Sequence, residues 1–175
     1  MDKRKREAEF LSEWKILPMI EEHYPGVAAV HQEGIETGNA TFQEKTLSIE
    51  AFDEKYLNTC RLVVLMNGKV IGWAALLPFS SMHAYRGVAE LSIYIAKSAR
   101  GKGVGKALMH EIIQTSEQNG FWTLQSLIFP ENKASIALHH TYGFQTLCVH
   151  EKLGEMNGVF RNVALLERRS NRNGE

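Results

Sequence analysis

The chain is short of cysteine, proline and net charge. Of its 175 residues two are cysteines, Cys60 and Cys148, with no CxxC spacing. No disulfide framework or thiolate zinc site follows from them. Their apolar neighbours predict two buried free thiols in a reducing cytoplasm. The four prolines, at positions 18, 25, 78 and 130, leave long stretches free to form regular elements. Twenty basic residues balance twenty acidic ones. That removes the basic excess carried by domains that bind nucleic acid through bulk charge. No apolar run approaches the roughly 18 residues of a membrane span. The charged start, Met1 to Glu7, leads into no apolar region, so it reads as a solvated extension and not as a secretory leader. No repeat or low-complexity tract occurs. The seven histidines show no HExxH or cysteine-paired spacing, so no metal is expected.

What is present is an ordinary globular composition, 44% hydrophobic and 23% charged. One domain is expected over 13–170, between a charged extension at 1–12 and a flexible tail at 171–175. Trp14 to Met19 reads as a strand. Pro25 opens a helix with Val27, Val30 and Ile35 on its stripe, and a polar helix follows around Leu47 to Leu57. Asn67-Gly68 between two apolar runs is a hairpin signal. Glu90 to Ile95 alternates, with Leu91, Ile93 and Ile95 facing one way and Glu90, Ser92 and Tyr94 the other. A helix from Val104 to Gln118, a strand from Phe121, a short helix capped by Asn132 and closed by Gly143, and strands at 144–149 and 160–167 complete the order β-α-α-β-β-β-α-β-α-β-β. The unit around the Val104 helix implies a parallel strand pair inside a mixed sheet.

The most specific stretch is Arg100-Gly101-Lys102-Gly103-Val104-Gly105-Lys106, between a strand and a helix. Glycines there let backbone N–H groups line a concavity, and a helix N-terminus adds partial positive charge. The combination cradles a phosphate or pyrophosphate. The spacing fits neither a P-loop nor the GxGxxG dinucleotide fingerprint: Arg100 stands where the first P-loop glycine belongs, and Lys106 where the third fingerprint glycine belongs.

This loop after Ile93-Tyr94-Ile95 resembles the acetyl-CoA pyrophosphate loop of the GNAT superfamily of N-acetyltransferases. The run from Asn132 through His139 to Gly143-Phe144 is similar to that superfamily's late helix. Gly34 to Phe42, Tyr85-Arg86, Glu90 to Ile95 and Leu138-His139 look like its phosphinothricin acetyltransferase group. The resemblance runs from about Trp14 to Arg168. It implies an α/β fold with a mixed, mostly antiparallel sheet, splayed at a central parallel pair and flanked by helices. It implies acetyl-CoA as co-substrate, a small amino-acid-like amine as acceptor, and a homodimer.

The resemblance also implies roles. Arg100, Gly101, Lys102, Gly103, Val104, Gly105 and Lys106 would hold the pyrophosphate. Ile93, Tyr94 and Ile95 would lie beside the pantetheine arm, and Asn132 would touch the cofactor. Glu90 is the candidate base for the incoming ammonium. His139, or else Tyr142, would return a proton to the leaving thiolate. Helical spacing puts Asn132, His139 and Tyr142 on one stripe. Arg86 would grip the acceptor's acidic group, with Phe42 as an apolar wall. A protein or peptide acetyltransferase, or a non-catalytic acyl-CoA sensor, are the alternatives. The sensor would need the loop but not Glu90 with His139.

Overall fold

The structure, a computed structural model, describes residues 14–174. The charged extension expected over 1–12 lies outside them. Seven strands form one sheet: β1 (Trp14–Pro18), β2 (Leu62–Met66), β3 (Lys69–Pro78), β4 (Val88–Ile95), β5 (Thr123–Ile128), β6 (Gln145–Met156) and β7 (Val159–Arg169). Their spatial order is β1-β2-β3-β4-β5-β7-β6, and among the described residues only the β4–β5 pair is parallel. Among the described residues four α-helices accompany them: α1 (Tyr24–Glu36), α2 (Ile49–Lys55), α3 (Val104–Gln118) and α4 (Lys133–Thr141).

Local chemistry sets the connections. Asn67 and Gly68 both take positive φ, 51° and 75°, so β2 turns into β3 through the tight turn that Asn-Gly favours. Asn157 and Gly158 repeat the device between β6 and β7, at φ 53° and 77°. This second hairpin corrects the expectation of two short strands at 144–149 and 160–167. A register shift between His150 and Gly154 hides it, because it breaks the period of two that marks a strand in sequence.

The faces of β4 sort the helices. Trp73 and Tyr94 are register partners; their rings stack at 4.9 Å and meet His31 of α1 edge-on. Phe52 of α2 and Tyr56 close the same cluster. The opposite face takes α3, which buries Val104, Leu108, Met109, Ile112 and Ile113. Thr115 on the same helix is only half-buried. α4 joins α3 there, with Leu138 in van der Waals reach of Gly105.

Cys60 is buried, but Cys148 is exposed on β6 at the sheet edge, where both faces are open to solvent. Its apolar neighbours Leu147 and Val149 are exposed with it. At the C-terminal end, Asn173 donates to the backbone oxygens of Glu117 and Phe121 at 2.7 and 3.1 Å, which holds the segment expected to be a free tail against the body.

The sheet leans on α3, so truncation of Leu108, fully buried at its centre, is expected to be costly. Leu108→Ala should lose about 2–5 kcal/mol of stability. Urea denaturation should show a lower midpoint with an unchanged m-value.

Candidate active site

The parallel ladder between β4 and β5 holds only for Val88↔Thr123, Ala89↔Leu124 and Glu90↔Gln125. Beyond it β4 runs on to Ile95 still paired to β3, but without a strand partner among the described residues on its other edge. The gap opens a cavity of about 380 Å³, walled by β4 from Glu90 to Tyr94, by β5 from Ser126, by Lys55 and Tyr56, and by the loop Ala40–Gln43.

Glu90 sits where the two strands part. It is half-buried, and its carboxylate makes no hydrogen bond or ion pair among the described residues. Burial raises its pKa above the ordinary carboxylate range, and the Lys55 charge pulls part of the way back. A carboxylate so placed keeps its lone pairs for an incoming proton. Ile93 and Tyr94 also line the cavity, while Ile95 packs towards Gly72 and Gly105. The unpartnered main chain of β4 can take an extended amide-bearing arm as an added strand.

The glycine turn has the predicted build. Gly101 and Gly103 take positive φ, 71° and 85°. Gly103 is the N-cap of α3 and provides no capping side chain, so the N–H groups of the first turn remain open to an anion. A Cβ on Gly101 would meet nothing within 4 Å, so its glycine serves the backbone conformation and not a close contact. The Arg100 side chain turns back to the Ile95 carbonyl at 3.0 Å. The cradle fits a diphosphate, with Gly101 to Lys106 offering backbone donors next to basic side chains.

The expected stripe on α4 is divided. Asn132 and His139 line the cavity, but both are already engaged. The Asn132 side-chain oxygen caps α4 by accepting from the Ser135 N–H, and its amide donates to the Asn39 carbonyl. His139 is 1% exposed. Its Nδ1 lies 2.7 Å from the Ser135 carbonyl, which can only accept, so Nδ1 carries the hydrogen and Nε2 accepts from Ser126 Oγ at 3.0 Å. Burial lowers its pKa to about 4. A neutral ring with its one N–H committed has no proton to give near neutral pH. Tyr142, the alternative donor, lies outside the cavity wall, 6.5 Å from the His110 ring of α3.

Arg86, expected to grip the acceptor's acidic group, is placed away from the other candidates. Its guanidinium stacks over Trp122 at 5.2 Å and donates to the His83 carbonyl, and it does not line the cavity. Phe42 does, held between Phe129 and Gly154, where a Cβ would stand 2.5 Å from its ring. The cavity also holds Ser92, which lies in the Glu90 to Ile95 run but was given no role, and residues that no motif marked: Lys55, Tyr56 and Ser126. Lys55 and Tyr56 both fall in the stretch that reads as a polar helix, and Ser126 falls in the strand from Phe121.

The acetyltransferase (GNAT) family model matches residues 27–144. The chain belongs to the GNAT acetyltransferase family. Within that family it falls in the phosphinothricin acetyltransferase-like group. It is 30% identical over 151 residues to the phosphinothricin N-acetyltransferase of Alcaligenes faecalis, covering 82% of this chain and 76% of that one. Against the L-methionine sulfoximine/L-methionine sulfone acetyltransferase of Pseudomonas paraeruginosa the identity is 24%, covering 82% and 87%. A match at 35% identity to the Bacillus subtilis protein YwnH spans 58% of this chain and 63% of that protein's length. Among solved structures, the GNAT phosphinothricin acetyltransferase of Sinorhizobium meliloti in complex with acetyl-CoA superposes with a TM-score of 0.82 at 28% identity, covering 92% and 90%.

His31 shares the condition of His139: burial, then the Lys55 charge, lowers its pKa to about 4. Both histidines are buried neutral in the folded state and titrate near 6.5 when unfolded. The unfolded chain therefore binds more protons between those values, and stability falls as pH drops from about 6.5 to about 4. Thermal unfolding followed across that window should show a falling Tm. The slope should be smaller in His139→Gln, measured against its own neutral-pH value.

Proposed function

We propose that this protein is an acetyl-CoA-dependent N-acetyltransferase that acts on the primary amine of a small amino-acid-like acceptor. The observation that carries this reading is the free, half-buried Glu90 carboxylate at the point where β4 leaves β5, facing the cavity. Relatives named for phosphinothricin and for methionine sulfoximine or sulfone supply the acceptor class. A cavity of about 380 Å³ suits a small molecule better than a flat surface for a protein chain.

Bound acetyl-CoA supplies the thioester whose carbonyl carbon the amine attacks. The chain's own residues do the rest. Backbone N–H groups from Gly101 to Lys106 hold the diphosphate, and the free edge of β4 at Ile93 to Ile95 orients the pantetheine arm. Glu90 removes a proton from the acceptor's ammonium, directly or through water, a step worth about 10²–10⁴-fold. A main-chain N–H of β4 steadies the negative charge that develops on the carbonyl oxygen. We assign no side chain as proton donor to the departing thiolate. His139 is neutral and committed, and a thiol with a pKa of about 8.5 leaves readily without help. His139 instead fixes the Ser126 hydroxyl at the cavity wall.

Exposed Leu147, Val149 and Leu153 on β6, with Val159 and Phe160 on β7, support a homodimer paired along this edge. Two unpaired thiols support a cytoplasmic protein.

Thiol release from acetyl-CoA, measured across a panel of amino acids that includes methionine sulfone, is expected to find an acceptor. Glu90→Gln should lower kcat by about 10²–10⁴-fold while acetyl-CoA still raises the Tm. The acid limb of the wild-type pH–rate profile should lie above the ordinary carboxylate range, with activity falling as pH drops through it. An undiminished Glu90→Gln protein would remove the assigned base.

A further inference from the structure

We propose that Lys55 is the specificity residue of the acceptor site and receives the carboxylate of a zwitterionic amino acid whose amine is presented to Glu90. This rests on the acetyltransferase reading and deepens it. Among the described residues lining the cavity, Lys55 is the one permanent cation and Glu90 the one anion. With Arg86 stacked on Trp122 outside the wall, no guanidinium faces the acceptor.

Lys55 is the last residue of α2, and its ammonium lies 5.3 Å from the Tyr56 ring centroid. It is half-buried and makes no hydrogen bond or ion pair among the described residues. A desolvated ammonium with a ring face but no anion beside it is costly, and an anion arriving in the cavity relieves that cost. Burial lowers the Lys55 pKa while the Glu90 charge raises it, and the reverse pull is felt by Glu90. The two groups thus share one space without closing on each other. An α-amino acid carries the complementary pair of charges on adjacent atoms. Its ammonium suits Glu90 and its carboxylate suits Lys55, and this arrangement presents the amine to the base. A simple amine would meet the Lys55 charge with nothing to offset it.

The test compares methionine sulfone with its decarboxylated amine in wild type, Lys55→Met and Lys55→Arg. The readout is the ratio of the two kcat/KM values. Any effect of Lys55 on the basicity of Glu90 acts on both acceptors and cancels in that ratio. Wild type should favour the amino acid, Lys55→Met should shrink the preference at least about tenfold, and Lys55→Arg should retain most of it. A ratio unchanged in Lys55→Met, with both rates lowered alike, would overturn the proposal and leave Lys55 as a modulator of Glu90. Calorimetric binding of N-acetylmethionine sulfone to the CoA-loaded protein gives a readout free of turnover. Anion binding that is lost in Lys55→Met but not in Lys55→Arg, in a protein that acetylates nothing, would keep the anion site and sink the enzyme reading. Intact turnover with Lys55-independent binding would do the reverse, and absence of both would sink both.

Discussion

Strands β4 and β5 share three register pairs and then part, and the cavity depends on that parting. A parallel pair that continued to Ile95 would consume the edge of β4 and fill the space in which the cavity lies. Because the ladder stops at Glu90↔Gln125, one strand presents a carboxylate at the fork and an open main-chain edge beyond it. The same strand delivers the chain to the glycine turn and the N-terminus of α3. The segments proposed as base, arm-binding edge and anion cradle are therefore successive parts of one run from Glu90 to Lys106, spaced by strand geometry.

Keeping the fork open requires rigid walls. On one face Trp73, Tyr94, His31, Phe52 and Tyr56 form an aromatic cluster, with the Tyr56 hydroxyl bonded to Ser92 Oγ at 3.1 Å. Both β4 residues of that set, Ser92 and Tyr94, line the cavity, so core packing and site geometry are fixed by the same side chains. On the other face His139 bridges the Ser135 carbonyl and the Ser126 hydroxyl, which ties α4 to β5. Its burial serves position, and its depressed basicity follows from that.

The remaining wall is a loop, and it is clipped at several points. Arg161 of β7 stacks on Phe129 at 4.0 Å and donates to the Gly38 carbonyl and to the side chain of Asn39. Asn132 donates to the Asn39 carbonyl from the opposite side. Phe42 then rests against Gly154, a position where no larger residue leaves room for the ring. The bulge in β6 that brings Gly154 there is the feature that obscured the strand in sequence.

Sequence alone determined what depends on local rules. The Asn67-Gly68 turn, the alternation of β4, the Gly103 start of α3 and the Asn132 cap each need only neighbours in the chain, and their order fixed the parallel pair and the family. Glu90 was legible because it stands at the head of an alternating strand next to a distinctive turn. Tertiary structure decided which charges share a space. Lys55, 35 residues before Glu90 in sequence, reaches the cavity only because α2 packs against the Trp73 face. Arg86, four residues before Glu90, is drawn away by the Trp122 ring. His139 has the right spacing for a stripe with Asn132, yet burial strips it of the proton that spacing suggested. Burial and long-range packing set desolvation and charge pairing, and neither is written in any local stretch of residues.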